Sequence, residues 1–210
     1  TKMVFRKVAA RGEQFRMGRA FNEIADDVKA NTYGAYPVLA SFSEDYYLGV
    51  YELTQQQYVD FHGSNPSQDQ TNANWQTRPV EYFAAWNAIA AVRGDYYADN
   101  CEANTTNTFN AKATAVLKDL RTQTGVAFDL PTEAQWEFAA RAGSGDSWVC
   151  GASAADLGEY GWYAYNSTNE LGVAGTHPVG LKKPNRWGLY DVAGNVLESC
   201  MDWNTTRYGL

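Results

Sequence analysis

The sequence has few of the residues that build compact metal or redox centres. Its 210 residues include three cysteines and two histidines. Cys101, Cys150 and Cys200 are widely spaced and match no zinc-binding pattern. One disulfide with a remaining thiol fits this number, and so do three unpaired thiols; both interpretations stay open. Two histidines are too few for a histidine-rich metal centre, and each is expected to be a hydrogen-bonded structural residue.

Positive charge and long apolar runs are also scarce. The chain has 17 Lys and Arg residues against 24 Asp and Glu residues, a formal net charge of −7. Nucleic acids and anionic membranes attract basic surfaces, so this balance argues against both as partners. The longest apolar run, YFAAWNAIAAV (82–92), is too short to cross a bilayer. We therefore expect no nucleic-acid partner and no membrane span.

Aromatic residues are abundant. They make up 14% of the chain, within a hydrophobic content of 45% that is ordinary for a globular protein. Large Tyr and Trp side chains fill cores and line binding surfaces. The length suits one sizeable domain, so residues 1–210 are predicted to form a single domain. The polar stretch RGDYYADNCEANTTNTFN (93–110) is predicted to be a surface insertion.

Two helix starts are marked by capping boxes, in which a Thr and a Gln three residues later satisfy each other's backbone amides. The first pairs Thr54 with Gln57, and its helix is expected to end at Gly63. The second pairs Thr132 with Gln135. Both helices are therefore predicted from local chemistry alone.

Periodicity predicts the remaining elements. Two further helices are expected within 81–92 and 111–125. The alternating stretch MVFRKVAARGEQFRMG (3–18) is predicted to be a pair of strands, and VAFDL (126–130) a short strand. From residue 147 onward Gly, Asn and aromatic residues dominate, which predicts long loops.

Seven motifs follow one another along the chain. They are F-x-M-G (15–18), YELTQ (51–55), RPV (78–80), LPTEAQWEFAAR (130–141), HPVG (177–180), KPNRWGLYD (183–191) and GNVLE (194–198). In this order they resemble the formylglycine-generating enzyme, or sulfatase-modifying factor, family. The resemblance covers nearly the whole chain. It implies an α+β fold: an irregular variant of the C-type lectin-like fold, with few helices, short strands and long ordered loops.

The resemblance implies two classes of function. Some members of the family are copper-dependent oxidases that convert a sulfatase cysteine to formylglycine. Others are secreted or cell-surface proteins that bind a protein or small ligand through their last segment, which retroelements diversify in some of them. That segment carries the copper-binding cysteines of the oxidases. No cysteine pair here corresponds to them, so no catalytic residue is assigned, and copper is expected only if a catalytic tail lies outside this chain.

We accordingly expect a non-catalytic binding domain, incomplete at its C-terminal end, on a secreted or cell-surface protein. Its ligand would bind through the C-terminal face that residues 1–210 lack. The alternative is an oxidase or related metalloenzyme whose catalytic cysteines lie beyond residue 210. A purely structural module of a larger assembly is the third interpretation.

The stretch GLYDVAGNVLESC (188–200) is the candidate metal site. Asp191 and Glu198 supply two carboxylates seven residues apart, and the carbonyls of Gly194 and Val196 lie between them in sequence. Carboxylates with backbone oxygens suit Ca²⁺, which takes six to eight oxygen ligands. The resemblance implies that these four residues hold a structural calcium ion. Without a cation, Asp191 would cap the turn and Glu198 would accept hydrogen bonds from loop amides.

The same stretch departs from the family pattern. The family has Trp at the positions of Leu197 and Ser199, where it fills the core. The smaller residues predict either repacking or a different neighbour there. Cys200 and Cys150 both lie in the loop-rich half of the chain, and a disulfide between them is a hypothesis.

Overall fold

Short strands and helices alternate along the parts of the chain that the structure describes. The computed structural model describes residues 2–18, 38–68, 70, 73–81, 116–145, 156–168 and 175–201. The strands are β1 (Phe5–Val8), β2 (Gln14–Met17), β3 (Val38–Ser41) and β4 (Tyr46–Gly49). The helices are α1 (Gln55–His62), α2 (Val116–Thr124), α3 (Glu133–Ala140) and α4 (Leu157–Tyr160), with a 3₁₀ turn at Trp75–Thr77. None of these helices is long and apolar enough to cross a bilayer.

The strands form two antiparallel pairs, β1 with β4 and β2 with β3. Phe5 lies opposite Gly49, Val8 opposite Tyr46, and Gln14 opposite Ser41. We call residues 5–17 the first arm and residues 38–49 the second arm. Between the last pair of one ladder (residues 8 and 46) and the first pair of the other (14 and 41), the first arm covers six residue positions and the second arm five. The first arm therefore holds one extra residue, as at a β-bulge, where Gly12 has a φ of 84°.

The prediction that residues 3–18 pair with each other was wrong. Both strands exist, but each finds its partner in the arm formed by residues 38–49. The Gly12 amide donates to the Phe42 carbonyl (2.8 Å), and the Phe42 amide to the Glu13 carbonyl (3.2 Å). These bonds carry the two arms past the bend, so the residues between β1 and β2 bend one arm rather than reverse it.

The main core lies between the strand arms, α3 and the segment around Leu189. Its buried members are Val8, Ala10, Phe15, Met17, Phe42, Phe138, Ala139 and Leu189. The Phe138 ring is 5.3 Å from the Phe15 ring and 4.8 Å from the Phe42 ring, measured between centroids. The α3 helix thus contributes one aromatic side chain that both arms contact. Phe138 belongs to the buried last turn of α3, together with Ala139 and Ala140.

The capping-box predictions are confirmed. The Thr54 hydroxyl accepts from the Gln57 amide (3.2 Å), and the Gln57 side chain accepts from the Thr54 amide (2.9 Å). Thr132 and Gln135 make the same reciprocal pair. The α1 helix ends at Gly63, which adopts the left-handed conformation with a φ of 81°.

The predicted strand at 126–130 is absent. The Phe128 amide donates to the Val126 carbonyl (2.9 Å), and the Phe128 carbonyl accepts from the Arg121 Nε (2.6 Å). These local bonds use the backbone groups that a strand would offer to a neighbour. The predicted helix at 81–92 and the predicted insertion at 93–110 lie outside the described residues, except for Glu81.

Glu137 and Arg141 form the ion pair that their helical spacing favours, at 2.5 Å. They also hold the end of β2. The Gly18 amide donates to Glu137 Oε1 (2.9 Å), and Arg141 Nη2 donates to the Gly18 carbonyl (3.0 Å). Glu137 in α3 and Arg141 directly after it therefore satisfy both backbone groups of Gly18, the residue that follows β2 and lies more than a hundred positions away. Their role is structural.

Asn185 fastens the last described segment to α3. Its Nδ2 donates to the carbonyls of Ala139 (2.8 Å) and Ala140 (3.0 Å) at the end of that helix. Its Oδ1 accepts from the amides of Trp187 (3.0 Å) and Leu189 (3.1 Å). The side chain is buried, and both of its N–H donors and both lone pairs of its oxygen are used in these bonds. It sets where residues 185–191 lie.

Replacing Asn185 with Ala should lower the free energy of unfolding by about 3 kcal/mol, because two helix-end carbonyls and two amides lose buried partners. Urea unfolding followed by circular dichroism measures this change. The Lys183→Ala variant is the control, since Lys183 pairs with Glu159 in the open, where both side chains are more than half exposed. Equal midpoints for the two variants would contradict the structural role of Asn185.

Candidate metal centre

Asp191 stands at the start of the candidate metal site in an uncommon conformation. Its φ is 59°, in the left-handed region that Asp and Asn tolerate better than most residues. The residue is 1% exposed. Its Oδ2 accepts a 2.6 Å hydrogen bond from the Gly180 amide, whereas its buried Oδ1 has no hydrogen-bond partner. A buried carboxylate oxygen without a donor is costly, which favours a cation beside it.

The next turn is organised around Asn195, whose φ is 64°. Its Oδ1 accepts from the His177 amide (2.8 Å), and its Nδ2 donates to the His177 carbonyl (3.1 Å) and to Glu52 Oε2 (2.7 Å). The Val196 amide donates to Glu52 Oε1 (3.2 Å) and to the Gly194 carbonyl (2.8 Å). We call residues 191–198 the cation loop. Glu52 holds its middle from a distant part of the chain.

Two glycines let the cation loop cross the segment after α4. The Asn195 amide donates to the Trp162 carbonyl (2.9 Å). A Cβ on Gly161 would lie 1.8 Å from the Ala193 carbonyl oxygen, and one on Gly194 would lie 2.0 Å from the Trp162 carbonyl oxygen. Both contacts are with backbone, so neither can be relieved by a side-chain movement. The two backbone segments cross at a distance that only glycine permits.

Burial and mutual repulsion perturb the acidic groups here. Burial, followed by the nearby carboxylates of Glu198 and Asp191, raises the pKa of Glu52 to about 9. Its hydrogen bonds from Asn195 and Val196 oppose this shift and are outweighed. Burial also raises the pKa of Asp191, against the hydrogen bond from Gly180. Without a cation, the site holds acidic groups in a place that disfavours their charged forms.

Glu198 is the second carboxylate of the cation loop, and its acidic group also has a raised pKa. The residue as a whole is solvent-exposed. Burial of its carboxyl group nevertheless raises the pKa to about 7, with a hydrogen bond from Trp136 opposing the shift and Asp191 adding to it. Its acidic end is close enough to Asp191 for the two charges to interact.

The donor set fits a hard cation that uses backbone oxygens. Within the described ranges, no three His, Cys, Asp or Glu side chains form a metal-binding group. A cation in this loop would therefore depend on Asp191 and Glu198 together with the Gly194 and Val196 carbonyls. This mixture of charged and neutral oxygens is the one that Ca²⁺ accepts. The unpartnered Asp191 Oδ1 is the specific feature that a cation would satisfy.

The structure qualifies three other expectations for this stretch. Asp191 does cap a turn, through the Gly180 amide, so the capping interpretation describes one of its two oxygens. Leu197 is fully exposed, so it fills no core position among the described residues, and the expected repacking or change of neighbour at this position stays a prediction. Cys150 lies outside the described residues, so its disulfide with Cys200 stays a prediction.

Sequence reasoning missed Glu52 and Asn195 as site residues. Both belong to quoted motifs, YELTQ and GNVLE, but neither motif shows that the two side chains meet across 143 positions. It also missed the stack around Trp162. The His177 ring stacks nearly parallel on the Trp162 ring, with 3.8 Å between the ring centroids. The Nζ atom of Lys182 lies 3.9 Å from the centroid of the Trp162 ring. The Nε2 of His177 is also hydrogen-bonded to a backbone carbonyl (3.2 Å), as expected.

The fold and the motif-bearing loop define a sulfatase-modifying factor type of domain, and comparison with known proteins agrees. The profile of the sulfatase-modifying factor enzyme 1-like domain matches residues 4–209. The chain therefore belongs to the sulfatase-modifying factor family, also called the formylglycine-generating enzyme family.

Individual relatives carry different names. The chain is 29% identical to the chaperone protein LppX of Paenibacillus barcinonensis, over 87% of this chain and 73% of that protein. It is 43% identical to the formylglycine-generating enzyme of Thermomonospora curvata over 81 residues, which are 35% of this chain and 27% of that enzyme. Among solved structures, Treponema denticola variable protein 1 aligns with a TM-score of 0.68 and 26% identity, over 97% of this chain and 74% of that one.

In the absence of divalent cations, stability should fall as pH rises from about 5 to about 9. The folded pKa values of Glu52 (about 9) and Glu198 (about 7) lie above the ordinary value of 4.5. The folded state thus keeps protons that the unfolded state releases, and this contribution is lost as pH rises through the folded values.

Thermal melting in EDTA across this range measures the effect. The Glu52→Gln variant should flatten the upper part of the profile, because it removes the group that titrates last. The Glu44→Gln variant changes an exposed acid and should keep the wild-type slope. A melting temperature that rises steadily with pH in the wild-type protein would contradict the assignment.

Proposed function

We propose that this chain is a binding domain of the sulfatase-modifying factor family, of the C-type lectin-like type, whose cation loop is pinned by a structural calcium ion. Asp191, Gly194, Val196 and Glu198 are the proposed ligands. The domain is part of a secreted or cell-surface protein, and it binds a protein or small ligand through the face that continues from the cation loop.

The observation that carries the calcium proposal is the unpartnered Oδ1 of Asp191. This atom is buried in a residue that is 1% exposed, and its sister oxygen already accepts from Gly180. Glu198 lies close enough to Asp191 for the two carboxylates to repel each other. One divalent cation would neutralise both and would satisfy the orphaned oxygen. The role of such an ion is to hold the loop in place.

Exposed apolar side chains around the cation loop support a binding role. Leu197 is 101% exposed, Leu181 62% and Tyr51 40%. Leu181 follows Gly180, which donates to Asp191, and the Tyr51 ring stacks on Tyr190 at 5.0 Å. Tyr51 and Leu181 are neighbours at the surface, because a Cβ on Gly180 would lie 2.7 Å from the Tyr51 ring. Adjoining apolar side chains mark interaction sites more often than isolated ones do.

Calcium should raise the melting temperature by about 5 °C over the EDTA-treated protein when the ion is at about a hundred times its dissociation constant. Differential scanning calorimetry measures this shift, with Mg²⁺ as the ion control because Mg²⁺ gives up its hydration waters reluctantly. The Asp191→Asn variant should lose the response while keeping an acceptor for Gly180. Glu13→Gln, an exposed acid, should retain it. Equal midpoints in calcium and EDTA would refute the calcium site.

A copper-dependent oxidase is the second candidate, and the 43% identity to a formylglycine-generating enzyme over 81 residues favours it. Incubation of the natural full-length protein with copper, oxygen, a thiol reductant and a cysteine-containing peptide from a sulfatase distinguishes the two, because the oxidase candidate requires cysteines outside residues 1–210. The binding proposal predicts that mass spectrometry finds the cysteine unchanged. Conversion of that cysteine to an aldehyde would establish the oxidase instead.

A further inference from the structure

The Asp191 side chain connects the cation loop to a segment outside it. Its Oδ2 accepts the 2.6 Å hydrogen bond from the Gly180 amide, and its Oδ1 is the buried oxygen without a partner. A cation on Oδ1 would leave the bond to Gly180 in place. Rotation of the carboxyl group would break both interactions, so an ion that holds Oδ1 also protects the bond to Gly180.

Gly180 carries this connection to an aromatic pair. A Cβ on Gly180 would lie 2.7 Å from Tyr51 Cε1, so the glycine backbone lies directly against the Tyr51 ring. The Tyr51 ring also stacks on Tyr190, with 5.0 Å between the ring centroids. Tyr190 directly precedes Asp191, and its amide donates to the Val50 carbonyl (3.0 Å). Both of these neighbours of the Tyr51 ring are therefore attached to Asp191, one by a hydrogen bond and the other by a peptide bond.

The Tyr51 ring belongs to the surface that supports the proposed binding role. Tyr51 is 40% exposed, and Leu181, which directly follows Gly180, is 62% exposed. Side chains that are already fixed before binding lose less conformational freedom when a ligand arrives, and they bind more tightly for that reason. An interaction that fixes Gly180 therefore also affects the shape and rigidity of this part of the surface.

We propose that occupation of the cation loop fixes the surface formed by Tyr51 and Leu181, so that the cation controls the shape of this part of the binding face. This inference rests on the proposed calcium site and binding role. The cation acts through the Asp191 carboxyl group, the Gly180 amide and the contact of Gly180 with Tyr51. Such a coupling is reciprocal: if the ion stabilises the arrangement around Tyr51, that arrangement stabilises the bound ion by the same factor.

Hydrogen exchange of single amides in the natural full-length protein, followed by NMR, tests the effect of the ion on Gly180. If the opening that exposes the Gly180 amide releases the ion, exchange slows by the factor 1 + [Ca²⁺]/Kd, which is about a hundredfold when calcium is at about a hundred times its dissociation constant. The control is the Gly12 amide, which donates to the Phe42 carbonyl (2.8 Å) between the two strand arms and should slow much less.

Calorimetric titration with calcium tests the reciprocal effect of Tyr51 on the ion. Tyr51→Ala removes the ring that lies against Gly180 and none of the proposed ligands, and it should weaken calcium binding about fivefold. Tyr51→Phe keeps the ring and should bind calcium like the wild type. Tyr47→Ala removes a tyrosine of β4 that is 66% exposed, and it should also match the wild type.

The outcomes separate the coupling from the calcium site. A wild-type protein that binds no calcium overturns the calcium site, and the coupling with it. Wild-type calcium affinity in Tyr51→Ala, or equal slowing of the Gly180 and Gly12 amides, overturns the coupling and leaves the calcium site standing. A loss of affinity in Tyr51→Phe or Tyr47→Ala as large as in Tyr51→Ala overturns it too. If Tyr51→Ala does not fold, Tyr51→Leu, which keeps an apolar side chain without the ring, is measured in its place.

Discussion

The buried carboxylate of Glu52 is the interaction on which the C-terminal half of the described structure depends. It joins the segment after β4 to Asn195 and Val196, and Asn195 in turn pairs with both backbone groups of His177. One acidic side chain thereby fixes two loops that have no regular secondary structure of their own. Burying a carboxylate is unfavourable unless hydrogen bonds or opposite charge compensate for it. That cost is why a nearby cation would have so large an effect on this region.

In this fold, side-chain hydrogen bonds supply the long-range order that sheets and long helices supply in other folds. The described strands are four residues long, and they pair only two by two. Long-range order comes instead from side chains that bond to backbone, such as Asn185 at the end of α3 and the Glu137–Arg141 pair at Gly18. Each of these bonds is specific in direction, so together they select one arrangement of the loops. Apolar contacts around Phe138 supply the non-specific part of the stability.

Local chemistry was readable from the sequence, and long-range pairing was not. The capping boxes at Thr54 and Thr132 involve residues three apart, and both were predicted. The partner of β1 could not be, because alternation shows that a strand exists and not which strand lies beside it. The motifs located Asp191 and Glu198 and identified the family. They did not show the meeting of Glu52 with Asn195, because it depends on the path of more than a hundred intervening residues.

Positions of the cation loop differ in how freely they can be substituted, because Gly194 crosses Gly161 at a backbone-to-backbone contact while other positions face solvent. At the crossing the two backbones leave no room for even one carbon atom, so any amino-acid substitution at either glycine would alter the path of both segments. Leu197, three residues further on, touches almost nothing and can be exchanged for any side chain without disturbing the frame. A library that randomises outward positions such as Leu197 while fixing the two glycines would sample new surfaces on a constant scaffold.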